Sequence, residues 1–102
     1  MTKYTIFYTP ESIEQIKHIT HWYEGINKEL SKRFKSNLII AINNLRKNPF
    51  TPSFRYDEVR YAVVNKFPYA AHYTVNKNNL TIVIHAVFAF QENPEKWLRD
   101  LE

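Results

Sequence analysis

The chain has 102 residues, which is the size of one domain with a single hydrophobic core. Its composition, 44% hydrophobic and 16% aromatic, excludes a disordered chain, and the lack of cysteine excludes disulfides and thiolate metal sites. The net charge of +4 favours an anionic partner, either nucleic acid or an acidic protein segment. It is equally consistent with an ordinary basic surface. Because there is no apolar leader and no apolar run long enough to cross a bilayer, we expect a cytoplasmic protein with no membrane contact.

The N-terminal part of the sequence predicts a strand followed by a helix. Strand-forming residues run from Thr2 to Thr9, and Pro10 ends them before a helical pattern that begins at Glu11. The only glycine, Gly25, stands where the C′ residue of that helix would lie. Asn27 is a suitable N-cap for a second helix.

The second helix has the clearest pattern in the sequence. Its end is predicted at Asn48, because a residue that precedes proline avoids the helical region. Residues 11–48 therefore predict a helical hairpin with a short turn. The apolar stripe of this helix consists of Leu30, Phe34, Leu38, Ala41 and Leu45.

Three strands in meander order follow the hairpin. The last of them is apolar on both faces, which is typical of a strand in the middle of a sheet. An asparagine-rich turn over residues 76–79 separates it from the strand before it. The predicted ranges are a connecting loop over residues 50–56 and strands over residues 57–65, 68–75 and 80–90.

The predicted order is thus β-α-α-β-β-β, in one α+β domain over residues 1–102. We expect the helical hairpin to pack on one face of an antiparallel sheet and the chain to end in a short helical tail. No internal repeat and no linker interrupts this order.

Four motifs in this order and spacing carry a family resemblance. They are Pro10-Glu11-Ser12 after the first strand, the second helix ending at Asn48-Pro49, the strand pair Val59-Arg60 … Lys66-Phe67-Pro68-Tyr69 … Tyr73-Thr74-Val75, and the end Ala86-Val87-Phe88 … Asn93-Pro94 … Trp97. With them the chain resembles the RelE/ParE superfamily of toxins from bacterial type II toxin–antitoxin systems, over nearly its whole length.

The resemblance implies two possible activities. RelE-like members cleave messenger RNA in the ribosomal A site, and ParE-like members, associated with plasmid stabilisation, poison DNA gyrase. Both are neutralised by an antitoxin that wraps an extended or helical segment over them. The expected partners are therefore a cognate antitoxin and either gyrase or ribosome-bound mRNA, with no cofactor and no small-molecule substrate.

The positions of the RelE-type catalytic groups favour a binding toxin over an enzyme. Aligned by motif, the two arginines fall on Ala70 and at or near Gln91, and the C-terminal tyrosine falls near Trp97. Alanine cannot stabilise a phosphorane, glutamine carries no charge, and tryptophan cannot exchange a proton at a useful pKa. Gyrase binding is therefore the leading hypothesis. The alternatives are an mRNA interferase with relocated catalytic groups and a degenerate, non-toxic antitoxin-binding module.

His72 and His85 are the weak candidates for relocated catalytic groups. If the turn pairs Val75 with Leu80, His72 lies opposite Val83 and the two histidines are neighbours on one face. Such a pair suits acid–base chemistry, whereas two hydrogen-bonded structural histidines are the simpler interpretation. No third ligand accompanies them, so no metal site is expected.

The candidates for contact with a target or an antitoxin come from the same motifs. Arg60 and Lys66 stand at positions that are often basic in the family, and either could bind carboxylates. Gln91 and Trp97 belong to the predicted tail region. The alternative interpretations are that Arg60 and Lys66 are ordinary exposed charges on strands and that Trp97 packs on the sheet.

Overall fold

A computed structural model describes residues 3–50, 54–56 and 58–89 of the chain. The predicted α+β class and element order are confirmed. The C-terminal tail predicted from the sequence, including Gln91 and Trp97, lies outside the described residues. The elements are β1 (Thr5–Tyr8), α1 (Pro10–Ile26), α2 (Lys28–Lys47), β2 (Phe54–Tyr56), β3 (Val59–Val63), β4 (Tyr69–Asn76) and β5 (Thr81–Ala89).

The strands form one sheet in the order β1-β5-β4-β3-β2. β5 lies between β1 and β4, as its apolar character predicts. The sheet departs from the prediction in two places. β1 runs parallel to β5, because the helical hairpin carries the chain across the sheet before the meander begins, so the sheet is mixed and not purely antiparallel. The predicted loop over residues 50–56 contains the short strand β2, which pairs with the start of β3.

One residue, Asn27, joins the two helices. Its backbone N–H donates to the Tyr23 carbonyl at 2.8 Å, and its Oδ1 accepts from the Glu29 N–H at 2.8 Å. Asn27 has φ −166°, so the chain turns through an extended residue and needs no left-handed one. The predicted C′ role of Gly25 is therefore wrong, since α1 continues through it to Ile26. The predicted N-cap at Asn27 and the helix end at Asn48 are confirmed.

The core lies between the helical hairpin and one face of the sheet. Ile42 takes a place that the predicted stripe gave to Ala41, which is only half-buried. Tyr23 of α1 packs edge-on against Phe67, with ring centroids 5.2 Å apart, and closes the core near the β3–β4 turn. None of the helices in the part of the chain that the structure describes has the length and apolar character needed to cross a bilayer. The α2 side chains buried in this core are Phe34, Leu38, Ile42 and Leu45.

A β-bulge at His85 breaks the alternation of β5. His72 lies opposite Ala86 and Tyr73 lies opposite Ile84, so His85 is an extra residue between two pairs. Before the bulge, the even-numbered residues of β5 face the helices; after it, the odd-numbered residues do. Ile84 before it and Val87 after it are therefore both in the core, which explains why β5 is apolar at even and odd positions.

The N-terminal end of α1 satisfies the backbone groups around this bulge. The Thr9 N–H donates to the Ile84 carbonyl at 3.0 Å, and Thr9 Oγ1 donates to the His85 carbonyl at 3.0 Å. The Val87 N–H donates to Gln15 Oε1 at 2.8 Å. Thr9 is also the N-cap of α1, where its Oγ1 accepts from the Ser12 N–H at 3.1 Å.

Tyr73 ties the sheet to the end of α2 through the core. Its side chain is fully buried, and its hydroxyl donates to the Pro49 carbonyl at 2.7 Å. Burial raises the pKa of Tyr73 to about 12, although the nearby Arg60 guanidinium acts in the opposite direction. The folded chain therefore keeps this proton at a pH where the unfolded chain has lost it.

We expect Tyr73→Phe to destabilise the fold by about 1–2 kcal/mol at neutral pH, because the buried Pro49 carbonyl loses its donor. The folded-state pKa lies above the ordinary value, so the contribution of Tyr73 is complete below pH 10 and is lost as pH rises towards 12. The difference in unfolding free energy between the two proteins should therefore shrink over this range. Urea unfolding at neutral and alkaline pH measures it, and a constant difference would contradict the assignment.

The β3–β4 turn holds a lysine in a left-handed conformation. Lys66 has φ 68°, and the Phe67 N–H donates to the Val64 carbonyl at 3.1 Å across the turn. This is the third position of a turn that normally takes glycine or asparagine. Lys66 is exposed, so no packing compensates the strain at this position.

We expect Lys66→Gly to be more stable than Lys66→Ala by about 1 kcal/mol, because only glycine adopts this φ without a Cβ clash. Both variants remove the same charge. The matched pair at the exposed helical residue Lys35 should show the opposite order, with glycine less stable than alanine by about 1 kcal/mol. Thermal or urea unfolding of the four variants decides it, and an equal effect of glycine at both positions would contradict a strained turn.

Candidate functional site

The sheet face away from the helices carries three of the residues that the sequence singles out, Ala70, His72 and His85. By alternation from the core residues Ala71 and Tyr73, this face contains Ala70, His72 and Thr74 of β4. Its burial is uneven, since Ala70 and His72 are completely buried and Val63 of β3 is 51% exposed. We call it the open face.

His72 lies between two aromatic rings on the open face. Tyr61 stacks on it with ring centroids 5.3 Å apart, and Phe88 meets it edge-on at 5.2 Å. With no exposed surface, the imidazole has no direct path to a substrate in this structure. The environment fits the structural interpretation of His72 better than the catalytic one.

His85 has the opposite environment. It is exposed at the bulge, and its Nε2 lies 2.8 Å from Thr74 Oγ1, which brings its ring to the same face as His72. The predicted register is wrong, because His72 faces Ala86 and not Val83. The turn lies one residue later in the chain than predicted, since Asn76 pairs with Thr81 where Val75 was expected to pair with Leu80, and the bulge then shifts the register again. The two histidines share a face but not a common environment.

The position that aligns with a catalytic arginine is structurally closed. Ala70 has no exposed surface and lies opposite Val63 on one side and Phe88 on the other. No guanidinium is available at this point of β4 to stabilise a phosphorane. The other two aligned positions, Gln91 and Trp97, lie outside the described residues.

Arg60 and Lys66 do not form one site, because they stand near opposite ends of β3. Arg60 donates to the Phe50 carbonyl at 3.0 Å and lies over the Phe50 ring at 5.2 Å. Lys77 lies over the same ring at 5.1 Å. Arg60 and Lys77 line a polar cavity of about 420 Å³ with Glu58. Lys66 is exposed in the turn at the other end of the strand.

Among the described residues, no three histidine or carboxylate side chains are grouped to hold a metal ion.

An apolar groove on the helical side was not predicted from the sequence. Its volume is about 290 Å³, and two lysines, Lys17 and Lys35, stand among its otherwise apolar lining. Ile39 is 55% exposed in the groove beside the exposed side chains of Tyr8 and Ile13, and contiguous exposed apolar side chains of this kind mark interaction sites more often than single ones do. The adjacent isoleucines 39 and 40, outside the main stripe, were the available sequence signal. The other lining residues are Tyr8, Ile13, Ile16, Leu38 and Ile42.

Burial against the groove also changes the chemistry of Tyr8. Its pKa is raised by burial, with the Arg46 guanidinium acting in the opposite direction. Tyr8 therefore stays neutral at any physiological pH. It contributes a hydrogen-bonding hydroxyl at the end of β1 beside an apolar surface, and no charge.

Solved structures of toxin–antitoxin systems share the fold, among them one from P. aeruginosa and one from Mycobacterium tuberculosis. A chain of the chromosomal ParDE toxin–antitoxin system from P. aeruginosa superposes with a TM-score of 0.71 at 15% identity, covering 87% of this chain and 98% of that chain. A chain of the RelBE2 toxin–antitoxin complex from Mycobacterium tuberculosis superposes with a TM-score of 0.59 at 17% identity, covering 87% of this chain and 93% of that chain. At these identities the likeness concerns the fold.

Comparison with curated protein sequences gives no significant match. A family model, described as the ParE toxin of the type II toxin–antitoxin system parDE, matches residues 6–93. The match spans both helices and the strands from β1 to β5, including the open face and the apolar groove. The chain therefore belongs to the ParE toxin family of type II toxin–antitoxin systems.

Proposed function

We propose that this ParE-family toxin acts by binding DNA gyrase and that a cognate antitoxin neutralises it. The observation that carries the proposal is the family match over residues 6–93. Gyrase is the target that the resemblance to ParE-like toxins implies. The basic net charge of +4 fits a partner engaged with DNA.

The burial of the open face supports binding over catalysis. An mRNA interferase needs a general base and a cation at the reacting phosphate. Ala70 replaces one of the aligned arginines and is completely buried, and His72 is buried beside it. His85 is exposed, but its partner within hydrogen-bond distance is the hydroxyl of Thr74, which carries no charge.

The apolar groove between α1, α2 and β1 is the antitoxin-binding surface that we assign within this function. Its lining is almost entirely apolar, with Lys17 and Lys35 in it, so it suits an amphipathic segment that has acidic residues beside its apolar side. The two related structures come from toxin–antitoxin systems. Burying the exposed surface of Ile39 would contribute of the order of 1–2 kcal/mol to binding.

We expect Ile39→Asp to weaken antitoxin binding by at least about tenfold, because a carboxylate would be buried against apolar side chains. Ile40→Asp is the matched control, since Ile40 is 57% exposed and does not line the groove. Titration calorimetry with the antitoxin of the same module measures both affinities. Equal effects of the two substitutions would rule out this groove as the site.

The proposed target is tested by inducing the chain alone in bacteria while DNA and protein synthesis are followed separately. We expect DNA synthesis to stop first, with a DNA-damage response, because a poisoned gyrase leaves broken DNA. Purified toxin should then inhibit supercoiling by purified gyrase. Inhibition by the His85→Ala variant should be unchanged, since the proposed action involves no acid–base chemistry at this residue.

Two other outcomes would contradict gyrase poisoning in different ways. Early loss of protein synthesis, abolished by His85→Ala, would support the mRNA interferase alternative. Normal growth, with folded protein present at the same level, would support the degenerate antitoxin-binding module.

A further inference from the structure

The outer edge of β1 carries backbone groups that do not bond to β5. The Thr5 N–H donates to the Leu80 carbonyl at 2.9 Å, so the odd-numbered residues of this strand bond to β5. Because alternate residues of a strand bond to the same neighbour, the N–H and C=O groups of Ile6 and Tyr8 point away from β5. In the part of the chain that the structure describes, β1 is the outermost strand on this side of the sheet.

Solvent reaches β1 on both faces of the sheet. Ile6 packs on the core, so by alternation Phe7 lies on the open face, where its side chain is 53% exposed. On the helical side, Tyr8 is 41% exposed where it lines the apolar groove. The strand contains no charge and no proline, which are the residues that usually prevent another strand from pairing with an edge. An apolar edge of this kind favours a partner that pairs with it and covers Phe7.

The two ends of β1 limit which ladder positions a partner can use. At the start, the Tyr4 N–H donates to the Arg46 carbonyl at 3.2 Å, so α2 already uses this outward group. At the other end, Pro10 has no N–H and begins α1. Among the described residues, the ladder positions that remain on this edge are therefore the two that flank Phe7. An antiparallel strand centred opposite Phe7 matches both of them.

The sequence of β1 is complementary to itself about Phe7. When two copies pair antiparallel about a two-fold axis at this residue, each residue faces the one at the same distance on the other side of Phe7. Ile6 then faces Tyr8 of the second copy, and the two exchange both of their backbone hydrogen bonds. The two Phe7 residues face each other as a non-hydrogen-bonded pair, in which side chains approach most closely.

Exposed charges beyond the ends of β1 fit the same axis. Lys3 stands four positions before Phe7 and Glu11 stands four positions after it, and both are exposed. Each Lys3 therefore approaches the Glu11 of the second copy. An axis moved by one residue, to Ile6 or Tyr8, does not bring these two charges together. The charges thus favour one register among those that the backbone allows.

We propose that two copies of this chain pair through β1 to form a symmetric dimer with one continuous sheet. The paired backbones provide hydrogen bonds, the two Phe7 rings bury apolar surface, and the Lys3–Glu11 pairs favour the register. At physiological salt the net charge of +4 on each copy is largely screened beyond about 8 Å. Because β1 has only four residues the interface is small, and we expect a weak dimer with a dissociation constant of about 100 µM or lower.

Amide hydrogen exchange of the unmodified chain tests the geometry. We expect the Ile6 and Tyr8 amides to exchange at least about threefold more slowly at about 1 mM chain than at about 10 µM, because pairing covers them only in the dimer. The Thr5 amide, which already donates to Leu80, should change less. Sedimentation velocity over the same concentrations measures the mass. A chain that remains a monomer at about 1 mM, or a dimer that leaves the Ile6 and Tyr8 amides unchanged, would overturn the proposal.

Two exposed aromatic residues provide a matched pair of variants. Phe7→Lys places two like charges opposite each other at the axis, so the dissociation constant of the dimer should rise at least about tenfold. Trp22→Lys makes a similar change at a residue of α1 that is 56% exposed, and dimerisation should be unchanged. Circular dichroism checks that both variants are folded. Equal effects of the two substitutions on the dimer contradict pairing through β1.

An exchange of charges tests the register. Lys3→Glu and Glu11→Lys should each weaken the dimer at least about threefold at low salt, since each places like charges together at both ends of the interface. The double variant restores opposite charges and should recover the original dissociation constant. Lys3→Glu also lowers the net charge of +4 by two units, which by itself favours self-association, so weakening by this variant identifies a local contact. Absence of recovery in the double variant overturns the proposal.

The antitoxin is the competing occupant of this edge. If the chain stays monomeric, and the Ile6 and Tyr8 amides gain protection only when the antitoxin of the same module is added, the edge belongs to the antitoxin and the proposal is overturned. The measurements of the dimer use the purified chain alone and do not depend on the cellular target. They can therefore fail while the growth experiments succeed, and the reverse.

Discussion

The hydrogen bonds from the start of α1 to the β5 bulge determine how the rest of the structure is arranged. Thr9 caps α1 and also bonds to the carbonyls of Ile84 and His85, so helix start and bulge are fixed together. Without the extra residue, Val87 would face away from the helices and the core would lose an apolar side chain. The same shift places the His85 ring beside Thr74 on the open face. Core packing and the composition of the open face thus depend on one local irregularity.

The parts of this fold that can be predicted from the sequence are those set by interactions between residues close together in the chain. Asn27 and Asn48 cap helices through groups within a few residues of themselves, so their roles are visible in the sequence. The central position of β5 follows from its apolar composition. The bulge could not be predicted, because Gln15, which accepts from the Val87 N–H, lies 72 positions away in the chain. The error in the histidine register has this cause together with a turn before β5 that lies one residue later than predicted. The short strand β2 was missed because Pro52 and Ser53 indicate a loop.

The apolar groove was less predictable than the core for a related reason. The apolar stripe on α2 identifies the residues that meet the sheet. Whether an apolar residue outside this stripe is covered depends on the position of the neighbouring elements, here α1 and β1. Ile39 is exposed because α1 and β1 approach α2 without closing over it, which leaves a groove. The groove is formed by three elements together, so the periodicity of one segment does not reveal it.

The apolar groove and the buried part of the open face together support the proposal that this toxin acts through contacts. Catalysis on RNA requires charged groups that reach a phosphate, whereas Ala70 of β4 aligns with an arginine and carries only a methyl group, and the ring of His72 is enclosed. Exposed apolar side chains are found on the helical side, among them Ile39 in the apolar groove. Burying this exposed apolar surface against an antitoxin is energetically favourable. Binding also stabilises the folded form of the antitoxin by mass action. The distribution of burial therefore fits a protein whose activity is controlled by which partner occupies its surface.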